Sequence, residues 1–310
     1  MAETLFYFFI YPGLLFAGVV GGLLAWFDRK ITARVQFRKG PPVLQPFYDF
    51  LKLLLVKETI LPARGAKVTF LITPVLGLFG ATTAAVFILL PLFNIHIGFE
   101  GDVMVIFYLL TIPSLTYIIG ALASGNPLAS VGASREIKLI ISYELTFLLF
   151  FAAIILKADQ TMRMSEIIQM QVQASPFIGS LSGILLFIVG VFCIQAKLGL
   201  VPFDIAEAET ELGEGSFIEY SGTVYAMVKL TKYIMLFILP ALIVGFLMSG
   251  FNMQGTGIIW AILKLLTVVL LLTLIRNTNP RLKIKQAMRF FLIGMNALVI
   301  LAIILIYLGL

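Results

Sequence analysis

The stretch LIISYELTFLLFFAAIIL, from Leu139 to Leu156, decides how this chain folds. Its 18 residues hold a single charge, Glu144, and are otherwise mostly apolar. A hydrocarbon core about 30 Å thick needs about 20 apolar helical residues to cross it, so this stretch has nearly the length of a transmembrane helix. The 310-residue chain is 60% hydrophobic and only 12% charged, with a mean hydropathy of +1.05. These values are far from those of soluble domains and identify an integral membrane protein.

Seven further stretches have the composition and approximate length of a membrane span. Transmembrane strands would instead give many alternating segments of about ten residues, which the sequence does not contain. We predict an all-α polytopic membrane protein with eight transmembrane helices, which form a single domain over residues 1–310. Besides Leu139–Leu156, the predicted spans are Leu5–Phe27, Val68–Phe93, Val103–Ala123, Pro176–Ala196, Tyr220–Met248, Ile258–Ile275 and Phe290–Leu310.

The N-terminal stretch and the few cysteine and histidine residues argue against a cleaved signal peptide and against a metal site. No basic region precedes Leu5–Phe27 and no small-residue cleavage site follows it, so we expect it to remain as the first helix. The one cysteine, Cys193, and the one histidine, His96, lie far apart in the predicted topology. A haem, iron–sulfur or zinc site needs several such ligands. We therefore predict no metal site and no bound cofactor in this chain, with Cys193 a buried thiol and His96 a loop residue.

The placement of lysine and arginine predicts the orientation in the membrane. Most of the 22 basic residues lie in the connections after the first, third, fifth and seventh predicted helices, including Arg135 and Lys138. Because basic connections remain in the cytoplasm, we predict a multi-pass protein of a prokaryotic plasma membrane with both termini outside. We assign the positive charge to topology and expect no nucleic-acid partner, which would need a basic groove with stacking aromatic residues.

Two of the cytoplasmic connections, Asp28–Lys67 and Lys197–Tyr220, are long enough to be structured. The first contains LQPFYDFLKLLLVKE, Leu44–Glu58, which is apolar but too short to span a bilayer. We predict a short amphipathic helix over about 45–58 at the cytoplasmic membrane surface, with Pro46 marking its start. This helix is either a plain membrane anchor or a docking platform for a soluble subunit.

The second connection, about 197–220, is named here the acidic loop. It overlaps the stretch VPFDIAEAETELGEGSFIEYSG, Val201–Gly222, which has six carboxylates. Glu207, Glu209 and Glu211 recur at every second position, so they would share one side of an extended backbone but fan over about 200° in a helix. Spacing alone therefore leaves two interpretations, a row of carboxylates that shares protons or a solvated acidic loop.

Four charged residues fall inside the predicted spans: Glu144, Lys229, Lys232 and Lys264. A charge near the bilayer centre costs about 2.5–3.5 kcal/mol on insertion scales, so it normally faces protein or water and marks a functional path. The lysines also have a purely structural interpretation, because a lysine stem can reach the interface or serve a single partner.

Several runs of residues together resemble one family over essentially the full chain. The family is the membrane subunit that joins the peripheral arm of respiratory complex I to its membrane arm, and the acidic loop is its most specific motif. The runs that carry the resemblance are Pro202–Leu212, Glu219–Gly222, Asp28–Lys30, Arg38–Pro41 with Leu44–Pro46, Gly132–Glu136, Ile141–Glu144 and the basic stretch Arg276–Arg289.

The chain could belong to either of two branches of this superfamily. The quinone-reducing branch usually carries several more residues between its Arg-x-Gly-Pro run and Leu-Gln-Pro, whereas Gly40–Pro46 is compressed here. With Gly132–Glu136, the short turn resembles the membrane anchor of energy-converting nickel–iron hydrogenases, and we favour that branch. The run Ile141–Glu144 is also typical of the quinone branch. A ferredoxin-dependent complex that reduces sulfur compounds would use a very similar anchor.

The resemblance implies a non-catalytic subunit that couples electron transfer, from a ferredoxin-type donor to protons, to H⁺ or Na⁺ translocation. The implied partners are a nickel–iron catalytic large subunit and an iron–sulfur small subunit on the cytoplasmic face, antiporter-like membrane subunits, ferredoxin and the lipid bilayer. The nickel–iron centre and the iron–sulfur clusters are expected in those partner subunits.

The resemblance also assigns roles to individual residues. It implies docking through Arg29, Arg34, Arg38, Asp49, Lys52 and Glu219. It implies an ion path or coupling element made of Glu144, Asp204, Glu207, Glu209, Glu211, Glu214, Arg135, Glu136, Lys229, Lys232 and Lys264. Within it, Arg135, Lys229 and Lys232 are the counter-charges for buried carboxylates.

Three other functions remain open at this point. A quinone-reducing complex would use the surface helix and the first span to frame a quinone entrance. A stand-alone cation/proton antiporter would use Glu144 and the intramembrane lysines, although such a carrier needs no long acidic platform. A purely structural anchor would leave every charge substitution without effect on pumping.

Overall fold

The chain is a bundle of long helices. The computed structural model describes residues 2–63, 65–95, 98–207, 213–252 and 255–309, and within these ranges every regular element is helical. This confirms the all-α prediction. The helices are α1 (Ala2–Phe9), α2 (Leu14–Val35), α3 (Gln45–Leu55), α4 (Lys67–Leu92), α5 (Asp102–Ala123), α6 (Pro127–Lys157), α7 (Met164–Gln173), α8 (Leu181–Lys197), α9 (Gly222–Leu247), α10 (Gly257–Thr278), α11 (Ile284–Arg289) and α12 (Asn296–Tyr307).

Among the residues that the structure describes, seven candidate spans are long and apolar enough to cross a membrane, so the prediction of eight is confirmed only in part. The exception is α8, whose 17 residues extend about 26 Å at 1.5 Å per residue. It begins at Leu181 and not at the predicted Pro176, because the Ser180 hydroxyl caps it by accepting from Gly183 N. A short 3-10 turn, Phe177–Gly179, precedes the cap.

Three other spans have different boundaries from those predicted, and the last of them begins at Ile284 and not at Phe290. The first span is divided into α1 and α2 by a turn that contains Tyr11 and Pro12. In contrast, α6 begins well before Leu139, because Asn126 accepts from Leu128 N at 2.8 Å and Pro127 occupies the first helical position. The run Gly132–Glu136 is therefore helical and extends α6 beyond its apolar part.

Helix α9 lies at the centre of the bundle and is the most buried of the candidate spans. It packs against α2, α3, α4, α7, α8 and α10. Its closest approach is to α2, where a Cβ on Gly21 would lie only 2.0 Å from the Tyr233 carbonyl oxygen. The absence of a side chain at Gly21 thus allows the two backbones to meet.

Helix α3 covers Gln45–Leu55 and ends slightly before the predicted helix. It packs against α2 and α9, and Trp26 Nε1 of α2 donates to the Pro41 carbonyl at 3.1 Å just before it. Helix α7 is not among the predicted elements, and its Gln171 donates to the carbonyls of Gly245 and Phe246. This amide satisfies carbonyls that the end of α9 leaves without helical partners.

The last span runs continuously over residues 284–307 and contains one π-helical segment, Phe290–Met295. Helices α11 and α12 are the two α-helical parts on either side of it. The Asn296 amide oxygen, directly after the segment, accepts from the Thr146 hydroxyl of α6 at 2.7 Å. This bond fixes the last span against α6, the helix that carries Glu144.

Candidate functional site

The described parts of the acidic loop lie directly on α6. A Cβ on Gly132 would come within 2.8 Å of Ser216 N, and one on Gly215 would come within 1.9 Å of the Ala206 carbonyl oxygen. Gly215 also has a φ of +50°, a conformation that favours glycine. Phe203 is buried and its ring centroid lies 4.8 Å from that of Phe291. Glycine contacts and one aromatic anchor therefore fix where the loop enters the bundle.

The first charged pair of the site joins this loop to α9. Lys232 Nζ lies 2.8 and 2.7 Å from the two carboxylate oxygens of Glu207, and it also stands 4.4 Å from the centroid of the Phe217 ring. About a third of each side chain is exposed, 35% for Lys232 and 31% for Glu207. Gly199, at a φ of +62°, leaves room for the Glu207 carboxylate.

The second charged pair lies deeper in the bundle and joins α8 to α6. Lys197 Nζ donates a short hydrogen bond to Glu144 Oε1, and its ammonium lies 5.4 and 5.0 Å from the ring centroids of Tyr143 and Phe147. The Lys197 side chain is fully buried and that of Glu144 is 14% exposed. By helical rise, Glu144 is about 26 Å from the start of α6 and about 20 Å from its end, near the middle of the helix.

A small cavity connects the two pairs. Its volume is about 20 Å³, which is enough for one water molecule. Glu136, Lys197, Glu207 and Lys232 all line it, together with Tyr117. The site therefore alternates in charge along one route, from Glu207 and Lys232 at the loop, past Glu136, to Lys197 and Glu144 inside the bundle.

A larger cavity of about 370 Å³ opens on the loop side of the first pair. Two more ion pairs line it: Arg281 Nε lies 2.8 Å from Asp204 Oδ2, and Arg276 Nη1 lies 2.6 Å from Asp28 Oδ2. The Thr273 hydroxyl also donates to Asp28 at 2.9 Å. Burial raises the pKa of the Asp204 carboxyl, although Arg281 acts in the opposite direction. Most of the charges that line this cavity are paired with each other, and Arg29, which also lines it, pairs with Asp49 outside it.

The other residues predicted for the ion path lie around these pairs. Arg135 is close to the Ile205 carbonyl oxygen, at 3.5 Å, and Glu214 is exposed. Lys229 stands 5.2 Å from the centroid of the Tyr225 ring. Lys264 lies apart from these pairs. Its Nζ donates to the Met248 carbonyl at 2.5 Å and so caps the end of α9.

The predicted docking residues divide into two groups. Arg34, Arg38 and Lys52 are exposed, whereas Arg29 binds Asp49 at 2.9 Å within the chain. Glu219 accepts from the Asn126 amide at 2.6 Å. Burial acts to raise the pKa of Asp49, but hydrogen bonds from Arg29 and Gln45 outweigh it and hold that pKa below its usual value.

Some of the predictions fall on residues that the structure does not describe. Glu209, Glu211 and His96 are among them. Within the described ranges, no group of three or more histidine, cysteine, aspartate or glutamate residues is arranged to hold a metal ion. Cys193 is buried in α8, as predicted.

Four members of the site are not identified by sequence reasoning, and one of them, Arg281, stands out only as part of the basic stretch Arg276–Arg289. Lys197 falls at the start of the predicted acidic loop, but it is the last residue of α8 and points into the bundle. Asp28 and Arg276 stand out only as parts of family motifs, and they pair across 248 positions of the chain. Their one signal in the sequence is a charged residue at the end of an apolar stretch.

Comparisons with known proteins identify the family of the chain. The family model described as NADH dehydrogenase matches residues 9–307. The H subunit of NADH-quinone oxidoreductase from Brevibacillus brevis is 32% identical over 305 residues, with 93% of this chain and 88% of that protein covered. The H subunit from Thermomicrobium roseum is 32% identical over 303 residues, with 89% and 88% covered.

A solved structure is similar over the whole chain. It is the membrane-bound sulfane sulfur reductase, an archaeal respiratory membrane complex, one chain of which superimposes with a TM-score of 0.88 at 26% identity. The similarity covers 99% of this chain and 100% of that one. With seven candidate membrane spans and a family match over nearly its full length, the chain belongs to the NADH dehydrogenase family and is a membrane subunit of a complex I-related enzyme.

Proposed function

We propose that this chain couples electron transfer in a peripheral redox module to ion translocation across the membrane. The observation that carries the proposal is the alternating route of charges from the acidic loop to the middle of α6. Such groups are costly in a bundle that spans a membrane, and they normally mark an ion or proton path. Here they form two ion pairs on either side of a carboxylate, Glu136, that has no ion-pair partner among the described residues.

The route suggests how a change at the loop reaches the interior. Glu207 belongs to the loop and Lys232 to α9, so displacement of the loop separates this pair. Lys232 is then free to attract Glu136, which lines the same small cavity. That shift alters the field at Lys197 and its bond to Glu144. On this proposal Glu209, Glu211 and Glu214 belong to the loop end of the path, and Arg135 and Lys229 are further counter-charges.

The same orientation gives the docking surface. We place the acidic loop and α3 on the cytoplasmic side and both termini outside, in a prokaryotic plasma membrane. Helix α3 then lies at the membrane surface, and exposed Arg34, Arg38 and Lys52 can bind a soluble subunit. Helix α8 makes the eighth crossing, with the turn before Leu181 adding to its 17 residues.

The preferred peripheral module is of the hydrogenase type, on the basis of the compressed turn at Gly40–Pro46. In that assignment the partners are a nickel–iron large subunit and an iron–sulfur small subunit, which receive electrons from ferredoxin, and antiporter-like membrane subunits move H⁺ or Na⁺. The redox centres belong to the partners.

A second candidate is an enzyme that reduces sulfur compounds. The chain spans the complete length of its counterpart in the sulfane sulfur reductase, but only 88% of the Brevibacillus brevis relative. The superposition with a TM-score of 0.88 over 99% of this chain supports this second candidate, even though sequence identity to the NADH-quinone oxidoreductase relatives is higher.

The terminal acceptor can be identified by purifying the complex through a tag on this chain in mild detergent. Three activities are measured on one sample: H₂ evolution from reduced ferredoxin, sulfide release from polysulfide, and reduction of a soluble quinone. Hydrogen evolution supports the preferred assignment, and sulfide release supports the second candidate. Quinone reduction refutes both, and a tagged chain that isolates without partners refutes the coupling proposal and leaves the stand-alone antiporter.

The coupling role is tested in the same complex after reconstitution into liposomes. Glu144→Gln keeps the shape of the side chain but removes its charge, so we expect ion transport to fall while electron transfer continues. The matched control is Glu58→Gln, which removes an exposed carboxylate on the same side of the protein as the acidic loop. Normal transport in Glu144→Gln would remove Glu144 from the path.

A further inference from the structure

A cavity of about 450 Å³ lies at the end of the bundle opposite the acidic loop. Lys157 lines it at the end of α6, and Gly132 of the same helix touches the acidic loop. These residues are about 38 Å apart along the helix at 1.5 Å per residue. The distance exceeds the roughly 30 Å hydrocarbon thickness of a bilayer, so the cavity lies at the opposite membrane interface.

The Lys157 ammonium is the main polar group of this cavity. Its Nζ donates to the hydroxyls of Ser180 and Ser182, each at 2.7 Å, and lies 5.6 Å from the centroid of the Phe177 ring. None of these groups carries a negative charge, and Lys157 makes no ion pair with a described carboxylate. An anion would stabilise this half-buried ammonium further, and the cavity offers space for one.

A carboxylate lines the same cavity without pairing to this lysine. Asp159 is exposed and lies two positions after Lys157. The cavity therefore presents one cation and one anion that are separate from each other. A ligand that complements it carries a negative group and a positive group joined by a short linker.

The surroundings of the cavity are apolar. Tyr307, which lines it, is 76% exposed, and the neighbouring Leu308 and Leu181 are 67% and 55% exposed. An exposed tyrosine is typical of the membrane interface, where its ring lies among lipid head groups. The exposed leucines offer a surface for acyl chains that continue from the cavity into the bilayer.

We propose that this cavity binds the head group of a zwitterionic phospholipid that carries a primary ammonium, such as phosphatidylethanolamine. Lys157 binds the phosphate diester and Asp159 binds the ammonium. The ligand supplies the missing counter-charge for Lys157, and its chains lie beside α8 and α12. The lipid then holds together the ends of α6 and α12 and the turn before α8.

The test uses the purified complex after delipidation, with native mass spectrometry of lipid binding. Phosphatidylethanolamine, phosphatidylcholine and phosphatidylglycerol are titrated separately. We expect phosphatidylethanolamine to bind most tightly. A hydrogen bond to a charged group corresponds to at least about a tenfold change in affinity, so Lys157→Gln should weaken its binding by that factor.

Two further variants make the experiment specific. Asp159→Asn should remove the preference for phosphatidylethanolamine over phosphatidylglycerol, and its exposed position keeps it informative if Lys157→Gln does not fold. Lys67→Gln, an exposed lysine at the start of α4, is the matched control and should bind like the wild type. Equal affinity for all three lipids, or no effect of either variant, overturns the proposal. Displacement of the lipid by millimolar inorganic phosphate would also overturn it, since the cavity would then bind free phosphate.

Discussion

Replacing Lys197 with methionine measures how strongly the inner ion pair holds the bundle together. The substitution keeps a long apolar stem between Tyr143 and Phe147 and removes only the ammonium. Glu144 is then left without its partner in a position that is 14% exposed. Breaking a buried pair in this way costs about 3–5 kcal/mol, and the residual exposure of Glu144 favours the lower end, about 3 kcal/mol.

The second half of the experiment removes both charges. In the double variant Lys197→Met with Glu144→Gln no charge remains unpaired, so most of the lost stability should return. We expect a coupling energy of about 2–3 kcal/mol from the double-mutant cycle. The free energy of unfolding is measured by titration with sodium dodecyl sulfate in mixed micelles, and Lys67→Met provides the control for loss of an exposed lysine.

Ion transport separates stability from function in the same variants. The double variant should be stable but inactive in liposomes, because Glu144 can no longer bind a proton. A coupling energy below about 0.5 kcal/mol would refute the reasoning, since additive effects mean that the two side chains do not depend on each other. If transport returns together with stability in the double variant, Glu144 has no role in transport, although its ion pair with Lys197 still contributes to stability in the wild type.

The remaining predictions concern close contacts and one surface pair. Gly132→Ala places a Cβ 2.8 Å from the backbone of the acidic loop, so we expect a loss of about 1–3 kcal/mol and faster proteolysis within the loop. Gly21→Ala, with a Cβ 2.0 Å from the Tyr233 carbonyl oxygen, should lower the melting temperature more than Gly179→Ala, where no atom lies within 4 Å. The pKa of Asp49 is below its usual value in the folded protein. Its ionised carboxylate therefore stabilises the fold at pH values above the pKa of the unfolded state, and this stabilisation is lost as the pH falls. A comparison with Asp49→Asn between pH 6 and 3 should show a difference of no more than about 1 kcal/mol, since this pair is partly exposed, and the difference should decrease toward the acidic end. A constant difference across that range would contradict the assignment.

The fold followed from the sequence where length and hydropathy decide the outcome. Stretches such as Val103–Ala123 are apolar over nearly their whole length, and the bilayer thickness fixes the number of residues needed. The boundaries were less predictable because local bonds set them. Asn126 starts α6 early by capping it, and Ser180 starts α8 late in the same way.

The site was predictable in composition but not in pairing. The charges of the acidic loop and Glu144 stand out because they are expensive in a membrane protein. Which cation serves which carboxylate depends on helices that meet only in three dimensions. Lys197 and Glu144 are 53 positions apart in the chain, and no spacing rule connects α8 to α6. Lys264 shows the converse, because this lysine inside a predicted span donates to carbonyls at the end of a helix and to no described carboxylate.

The two ion pairs differ in exposure, and this difference gives the proposed path a direction. Glu207 and Lys232 are each about one-third exposed, and pairs of that kind contribute only about 0–1 kcal/mol. Lys197 is fully buried against Glu144, and separating that pair costs about 3–5 kcal/mol. A change at the acidic loop therefore breaks the outer pair first. On the proposed path, a second change in charge, at Glu136 between the pairs, compensates Lys197 before Glu144 is released. An ordered sequence of this kind would prevent ions from leaking through the subunit when the loop moves without electron transfer.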